Sequence, residues 1–339
     1  MSAVRVLVVD DSASMRAALS AILSQDPDID VVGCAPEPTS ARAMIKELNP
    51  DVLTLDVEMP GMDGLSFLER VMRLRPMPVV MCSTLTARGT AVTIEALRLG
   101  AVDCIAKPSG NAADIARDAD RLRRTVKGAA HSRVHGVATT APSAPLSGRF
   151  DPDRVIAIGA STGGVEALFK LIGSLPANCP PVLIVQHMPG SFTNGFAARL
   201  DAAAAPKVVE ARDGDILSPG TVYIAPGGRS HMVLRPGPPR RLQLTDEPAV
   251  GGHRPAADRL FESVAALGRK GLGVLLTGMG EDGARGLLRM HQSGARTFAQ
   301  SAESCVVYGM PRAAVELGAV ERQLPLDGMA RAVLDACRV

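Results

Sequence analysis

Residues 155–164 read VIAIGASTGG. An apolar run leads directly into glycine, alanine, serine, threonine and two more glycines. Such a segment ends a strand and opens a helix. Gly159 to Gly163 also fit G-x-S-x-G, the pattern in which a sharp strand-to-helix turn lifts a serine hydroxyl above a sheet. The Thr162 N–H then faces the place where an oxyanion would form. The same letters suit a Gly-rich phosphate cradle at a helix start, or a plain structural turn. The dinucleotide fingerprint G-x-G-x-x-G is not met, because Ser161 stands at its second glycine.

Working outward, the same style recurs on both sides. Downstream, strands are expected at 155–158, 182–186, 221–225 and 273–276, with helical patterns after Gly163, Ser191, Ala256 and Glu281. A hairpin is expected around 232–244, where Pro236, Gly237, Pro238 and Pro239 mark a turn. Upstream, strands are expected at 4–9, 30–34, 52–56, 79–82 and 102–105. Helical segments at 15–24 and 65–74 lie between them, the second with Leu65, Leu68 and Met72 on one face. Strand–helix alternation of this kind predicts an α/β fold with a parallel sheet covered on both sides.

The two halves are separated by a change of composition. Residues 117–149, RDADRLRRTVKGAAHSRVHGVATTAPSAPLSGR, begin as a basic, helical stretch and turn into small residues, proline, serine and threonine without apolar periodicity. That is linker composition. The expected organisation is a first domain at 1–120, a linker at 121–150 and a second domain at 151–339. A chain of 339 residues suits two domains, each with its own core.

Bulk composition narrows the function classes. Net charge is +2 and aromatics are 3% with no tryptophan, which argues against nucleic acid as a partner. The six cysteines include no C-x-x-C pair and read as reduced thiols of a cytoplasmic protein. No apolar stretch approaches the roughly 20 residues needed for membrane insertion.

In the first domain, Asp10 and Asp11 close the strand VRVLVVDD, and Asp56 closes DVLTLD. Ligands of an open parallel sheet sit beyond the carboxyl ends of its strands. Neighbouring first and third strands would gather these carboxylates, which cannot stay ionised together without a counter-charge. A hard divalent cation such as Mg2+ is the natural partner. Lys107, in CIAKP with Pro108, adds positive charge, and Ser83 adds a hydroxyl. Such a pocket suits phosphoryl transfer onto Asp56. The plainer reading is that Asp10 and Asp11 cap the following helix and Lys107 lies on the surface.

In the second domain, His187 follows the apolar run PPVLIVQ and precedes Met188-Pro189, so it sits at a strand end in the layer of Ser161. Rival bases are His231, His253 and His291, of which His253, in GGHRPAAD, is strongest. His131 and His135 fall in the linker. Asp282 follows GVLLTGMGE, where a carboxylate can orient a histidine. Glu281 is a possible substitute, and a helix cap is the plain alternative for Asp282. The N–H groups near Met279 and Gly280 complete an oxyanion hole. The chain order Ser, His, Asp differs from that of α/β-hydrolases, so triad chemistry is expected on a different doubly wound sheet.

Residues 1–120 resemble the receiver domain of bacterial response regulators, through the Asp10-Asp11 pair, Asp56 before MPGMDG, Ser83 and Lys107-Pro108. The resemblance implies a flavodoxin-like doubly wound parallel sheet. It implies phosphate transfer to Asp56 from a sensor histidine kinase, Mg2+ held by Asp10, Asp11 and Asp56, and readout through Ser83 and Lys107. Cys104 stands where many receivers carry an aromatic residue. Residues 154–320 resemble the chemotaxis protein-glutamate methylesterase family, through IGASTGG, VQHMP, FAARL, YIAPGG, HRPAAD, LTGMGEDGA and SCVVYGMP. That resemblance implies a doubly wound α/β methylesterase domain with the triad Ser161, His187 and Asp282. It implies hydrolysis of glutamyl methyl esters, and deamidation of glutamines, on methyl-accepting chemotaxis receptors, with no cofactor for the ester step. The rival from another class is a receiver-controlled binding module without activity. Its sign would be a missing triad residue, and all three are present.

Overall fold

The computed structural model describes residues 2–59, 64–83, 86–107, 112–134 and 147–339. Pro108, His135 and residues 60–63 of the MPGMDG string lie outside them. The chain divides into two compact units, Met1–Ala138 and Thr139–Val339. Among the described residues, no helix is long and apolar enough to cross a membrane.

The first unit runs β1 Val4–Val9, α1 Ala13–Leu23, β2 Ile29–Ala35, α2 Pro38–Leu48, β3 Val52–Asp56, α3 Gly64–Leu74, β4 Val79–Ser83, α4 Ala87–Arg98, β5 Asp103–Ala106 and α5 Ala112–Ala130. Its five strands pair in parallel in the order β2-β1-β3-β4-β5. Every residue of β3 and β4 is buried, which is why they read as unbroken runs. Val9 of β1 pairs with Leu55 of β3, so Asp10 and Asp56 leave the sheet side by side. Helix α5 continues past residue 120, where the linker was expected to begin. Leu122, Val126 and Ala129 recur on one face and are buried, and the Arg123 guanidinium donates to the Ile22 carbonyl.

The second unit runs β6 Val155–Ala160, α6 Gly164–Gly173, β7 Val182–Gln186, α7 Gly190–Ala203, β8 Lys207–Glu210, β9 Thr221–Ile224, β10 His231–Leu234, β11 Leu242–Thr245, α8 Ala257–Ala265, β12 Gly271–Leu275, α9 Ala284–Gln292, β13 Arg296–Gln300, α10 Met310–Glu316, β14 Arg322–Leu324 and α11 Leu326–Ala336. Seven strands pair in parallel in the order β14-β13-β12-β6-β7-β9-β8. The expected hairpin is the antiparallel pair β10–β11, with Met232 opposite Leu244. Strands β8, β13 and β14 were not expected. β8 and β14 are edge strands, four and three residues long and partly exposed, too short to carry a clear apolar run. The C-terminus returns to the unit's start, where Phe150 and Arg338 form an antiparallel bridge and the Asp151 N–H donates to the Cys337 carbonyl.

The sheet order positions the chemistry. From β6 the chain adds β7, β9 and β8 on one side, then crosses to add β12, β13 and β14 on the other. The carboxyl ends of β12, β6 and β7 therefore meet at a topological switch, where doubly wound sheets hold their ligands.

Candidate active site

In the first unit, carboxylate oxygens of Asp10, Asp11 and Asp56 lie within 4.8 Å of one another. Asp10 and Asp56 are buried and Asp11 is exposed. Capping does not explain them, because the hydroxyl that caps α1 belongs to Ser12 and accepts from the Met15 N–H. Lys107 is not a free surface residue either. Its ammonium lies 2.8 Å from Asp10 Oδ2 and 2.8 Å from Asp56 Oδ2. Burial pushes the Asp56 carboxyl above its usual range despite Lys107. Burial also works against the lysine's charge, but the bonds to Asp10 and Asp56 outweigh it and raise its pKa. Ser83 is buried at the end of β4, and its carbonyl accepts from the Lys107 N–H. Three carboxylates against one ammonium leave an excess of negative charge among oxygen donors, which fits a hard divalent cation.

In the second unit, the turn after β6 is shaped by glycines. Gly163, the N-cap of α6, takes the left-handed conformation at φ 76°, and a Cβ there would stand 2.5 Å from the Val306 Cβ. Ser161 itself needs no positive φ, so the strain that the G-x-S-x-G pattern assigns to the serine rests here on Gly163. Ser161 is half-buried.

His187 lies beside it by register. Ala160 of β6 pairs with Gln186 of β7, and the His187 N–H donates to the Ala160 carbonyl at 3.0 Å. Ser161 and His187 are thus the next residues on strands about 4.8 Å apart. His187 Nδ1 is buried and makes no hydrogen bond, so the serine hydroxyl does not touch it in this structure.

The imidazole is fixed from its other nitrogen. His187 Nε2 lies 2.8 Å from Asp282 Oδ2. The same oxygen accepts from the Ala257 N–H at 2.6 Å, and Oδ1 accepts from the N–H groups of Asp258 and Gly283. Asp282 therefore caps the start of α8, a neighbouring helix, while it holds His187. Burial would raise its pKa, but His187 and the N–H groups of Ala257 and Asp258 outweigh this and keep the carboxyl below the usual range. An ionised partner at Nε2 fixes the proton there and leaves Nδ1 as the basic atom. The serine-protease triad uses the two nitrogens the other way round.

The rival residues fall to other tasks. His231 is fully buried, bonds the Pro248 carbonyl through Nε2 and accepts the Ala256 N–H at Nδ1. His291 bonds Thr297, and Glu281 pairs with Arg285 on the surface. His131 bonds the Lys127 carbonyl in the first unit. His253 stacks flat on His187, with ring centres 3.9 Å apart and planes within 6°. Its place over the base had no signal in the sequence beyond its Gly-rich loop.

Peptide geometry sets the direction of two backbone N–H groups near Ser161. In a trans peptide the carbonyl of one residue points opposite the N–H of the next. The Ser161 carbonyl is drawn inward by the Gly164 N–H at 2.7 Å and by the Gln186 amide at 2.9 Å. The Gly278 carbonyl is held by the N–H groups of Gly309 at 3.1 Å and Met310 at 2.9 Å. The N–H groups of Thr162 and Met279 point the opposite way from these carbonyls. Gly278 has to be glycine, since a Cβ there would stand 2.7 Å from the Ser161 Cβ. Thr277 ties the parts together by donating to the Thr162 carbonyl and accepting from the Val307 N–H.

Similarity to known proteins extends over both units. Residues 156–333 match the CheB methylesterase family, and residues 6–117 match the response regulator receiver domain. A Caulobacter vibrioides protein named protein-glutamate methylesterase/protein-glutamine glutaminase 1 is 53% identical over 339 residues, covering 99% of this chain and 98% of that protein. This chain belongs to the CheB methylesterase family. A protein of the same name from Dechloromonas aromatica is 54% identical, with 98% of each chain covered. The crystal structure of the Thermotoga maritima CheB methylesterase catalytic domain is 36% identical, with a TM-score of 0.52. It covers 56% of this chain and 99% of that one. The expected pairing of a receiver with a methylesterase domain on parallel-sheet α/β folds stands.

Proposed function

We propose that this CheB-family chain hydrolyses glutamyl methyl esters on methyl-accepting chemotaxis receptors, deamidates receptor glutamines, and is activated by phosphorylation of Asp56. The observation that carries the hydrolase reading is the His187–Asp282 pair, 2.8 Å apart, with His187 and Ser161 directly following the paired residues Gln186 and Ala160.

In the proposed reaction, His187 Nδ1 takes the Ser161 proton as the hydroxyl oxygen attacks the ester carbonyl. The tetrahedral oxyanion rests on the N–H groups of Thr162 and Met279. The C–O bond to the methoxy group breaks, and methanol leaves with the proton from Nδ1. Water, deprotonated by the same nitrogen, then cleaves the glutamyl-serine ester to give glutamate and free serine. With a glutamine side chain, ammonia leaves by the same route. Asp282 stabilises the imidazolium throughout. Each oxyanion donor is worth about a hundredfold to a thousandfold in kcat.

In the receiver, Asp10, Asp11 and Asp56 would hold Mg2+, which offsets charge on the incoming phosphoryl group. Asp56 accepts that group from a sensor histidine kinase. Lys107 and Ser83 sense it. The phosphoryl group adds about −1.5 to −2 charge beside Lys107. Receptors and kinase both place the chain's work in the cytoplasm.

The test is methanol release from methylated receptor membranes, with and without a small-molecule phosphodonor and Mg2+. Wild type is expected to release methanol faster with the phosphodonor, and Ser161→Ala to release none. Full activity in Ser161→Ala would reject the mechanism.

A further inference from the structure

The Gln186 side chain, the last of β7, is 3% exposed and belongs to no part of the mechanism described so far. Its Nε2 donates to the Ser161 carbonyl at 2.9 Å and to the His187 carbonyl at 3.2 Å. One amide thus clamps the backbones of the two residues between which the proton must pass. Both partners only accept, so the nitrogen must face them. The oxygen, Oε1, is buried with no donor. It lies against Gly164, where a Cβ would stand 2.2 Å from it. The second glycine of the STGG string is therefore the space into which this amide fits. Gly164 begins α6, whose positive end favours a partial negative charge there.

We propose that Gln186 is a positioning residue that aims the Thr162 N–H at the developing oxyanion. The Ser161–Thr162 peptide is one rigid plane. Pulling its carbonyl toward Gln186 turns its N–H to the opposite side, toward the ester oxygen once negative charge gathers there. The Gly164 N–H also holds that carbonyl, at 2.7 Å, but it belongs to the same turn and moves with it. Gln186 is anchored on a different strand and fixes the turn against the sheet. Its bond to the His187 carbonyl sets the base in the same frame. Loss of the amide leaves substrate binding intact and lets the peptide plane rock, so the cost falls on the transition state.

This inference rests on Ser161 as nucleophile, so the experiment tests both together. The full chain, activated with a phosphodonor and Mg2+, is assayed for methanol release from methylated receptor membranes. Active sites are counted by labelling with a fluorophosphonate. Gln186→Met keeps the volume and removes both donors. Its kcat per labelled site is expected to fall about tenfold to a hundredfold, less than for outright loss of an oxyanion donor. KM is expected to stay within about twofold of wild type. A kcat per labelled site within about twofold of wild type overturns the proposal, as does a loss confined to KM. A merely structural glutamine would lower the number of labelled sites and leave kcat per site alone, which also overturns it. If Gln186→Met does not fold, Gln186→Asn withdraws the amide by one methylene and is held to the same outcomes. Ser161→Ala, run alongside, separates the two ideas. An active Ser161→Ala rejects the nucleophile itself. An inactive Ser161→Ala beside a fully active Gln186→Met rejects only the role of Gln186.

Discussion

Asp282 meets His187 through Nε2 at 2.8 Å and leaves Nδ1 buried and without a hydrogen bond, while Ser161 is the first residue after the neighbouring strand β6. The carboxylate decides which nitrogen carries the proton. Asp282→Asn keeps the shape but can present an N–H to Nε2, which would move the proton to Nδ1 and silence the base. We expect kcat for methanol release to fall about 10⁴-fold. KM should change little. Steady-state assays on methylated receptor membranes check it, and a loss under tenfold would contradict this role.

His253 covers the His187 ring face to face at 3.9 Å. An aromatic pair of this kind is worth about 0.5–1.5 kcal/mol. His253→Ala should therefore lower kcat by about threefold to tenfold, through a looser His187. His253→Phe keeps a flat ring and should recover most of it. Equal losses in both variants would show that the imidazole acts chemically.

Asp258 offers a pH-dependent stability. Burial pushes its carboxyl up to about 6, against the usual 3.8, despite the bond it accepts from the Gly286 N–H. Because the folded pKa is the higher one, this group's stabilising contribution is complete below about pH 4. It is lost as pH rises through about 6. The shift corresponds to about 3 kcal/mol at neutral pH. Asp258→Asn keeps an acceptor for Gly286 and removes the charge. It should raise the unfolding midpoint of the second unit at pH 8 and lose that advantage toward pH 4. An advantage that grows at low pH would refute the assignment.

The receiver carboxylates predict a dependence on divalent cation. Chelation with EDTA should abolish labelling of Asp56 by a phosphodonor, and Mg2+ should restore it. Asp56→Asn should remain unlabelled and show no stimulation of methanol release. Stimulation that survives in Asp56→Asn would place the switch elsewhere.

Much of this was legible before any coordinates. The β3 and β7 boundaries follow from apolar runs bounded by polar residues, because both strands are buried on each face. Asp10, Asp56 and His187 could be picked out because they are polar residues at or directly after such runs, and Asp282 because it stands in the Gly-rich loop that follows β12. What escaped notice has physical reasons. Strand β14 is three residues, mostly exposed, and carries no apolar signature. The helical start of the basic stretch was legible, but not that α5 runs on to Ala130, because its buried stripe of Leu122, Thr125, Val126 and Ala129 is narrow and set among charged residues. The roles of Gln186 and Thr277 depend on which carbonyls they reach, a long-range property that local pattern does not encode. The nitrogen by which His187 meets Asp282 is likewise a matter of ring orientation.

The bridge between Phe150 and Arg338 means that the hydrolase unit closes on itself like a bracelet. Its first and last residues sit together, so a short peptide could weld 339 to 150 and the polypeptide could be cut open at a surface turn such as the β10–β11 loop. The rearranged chain would still assemble β12, β6 and β7 in their native order.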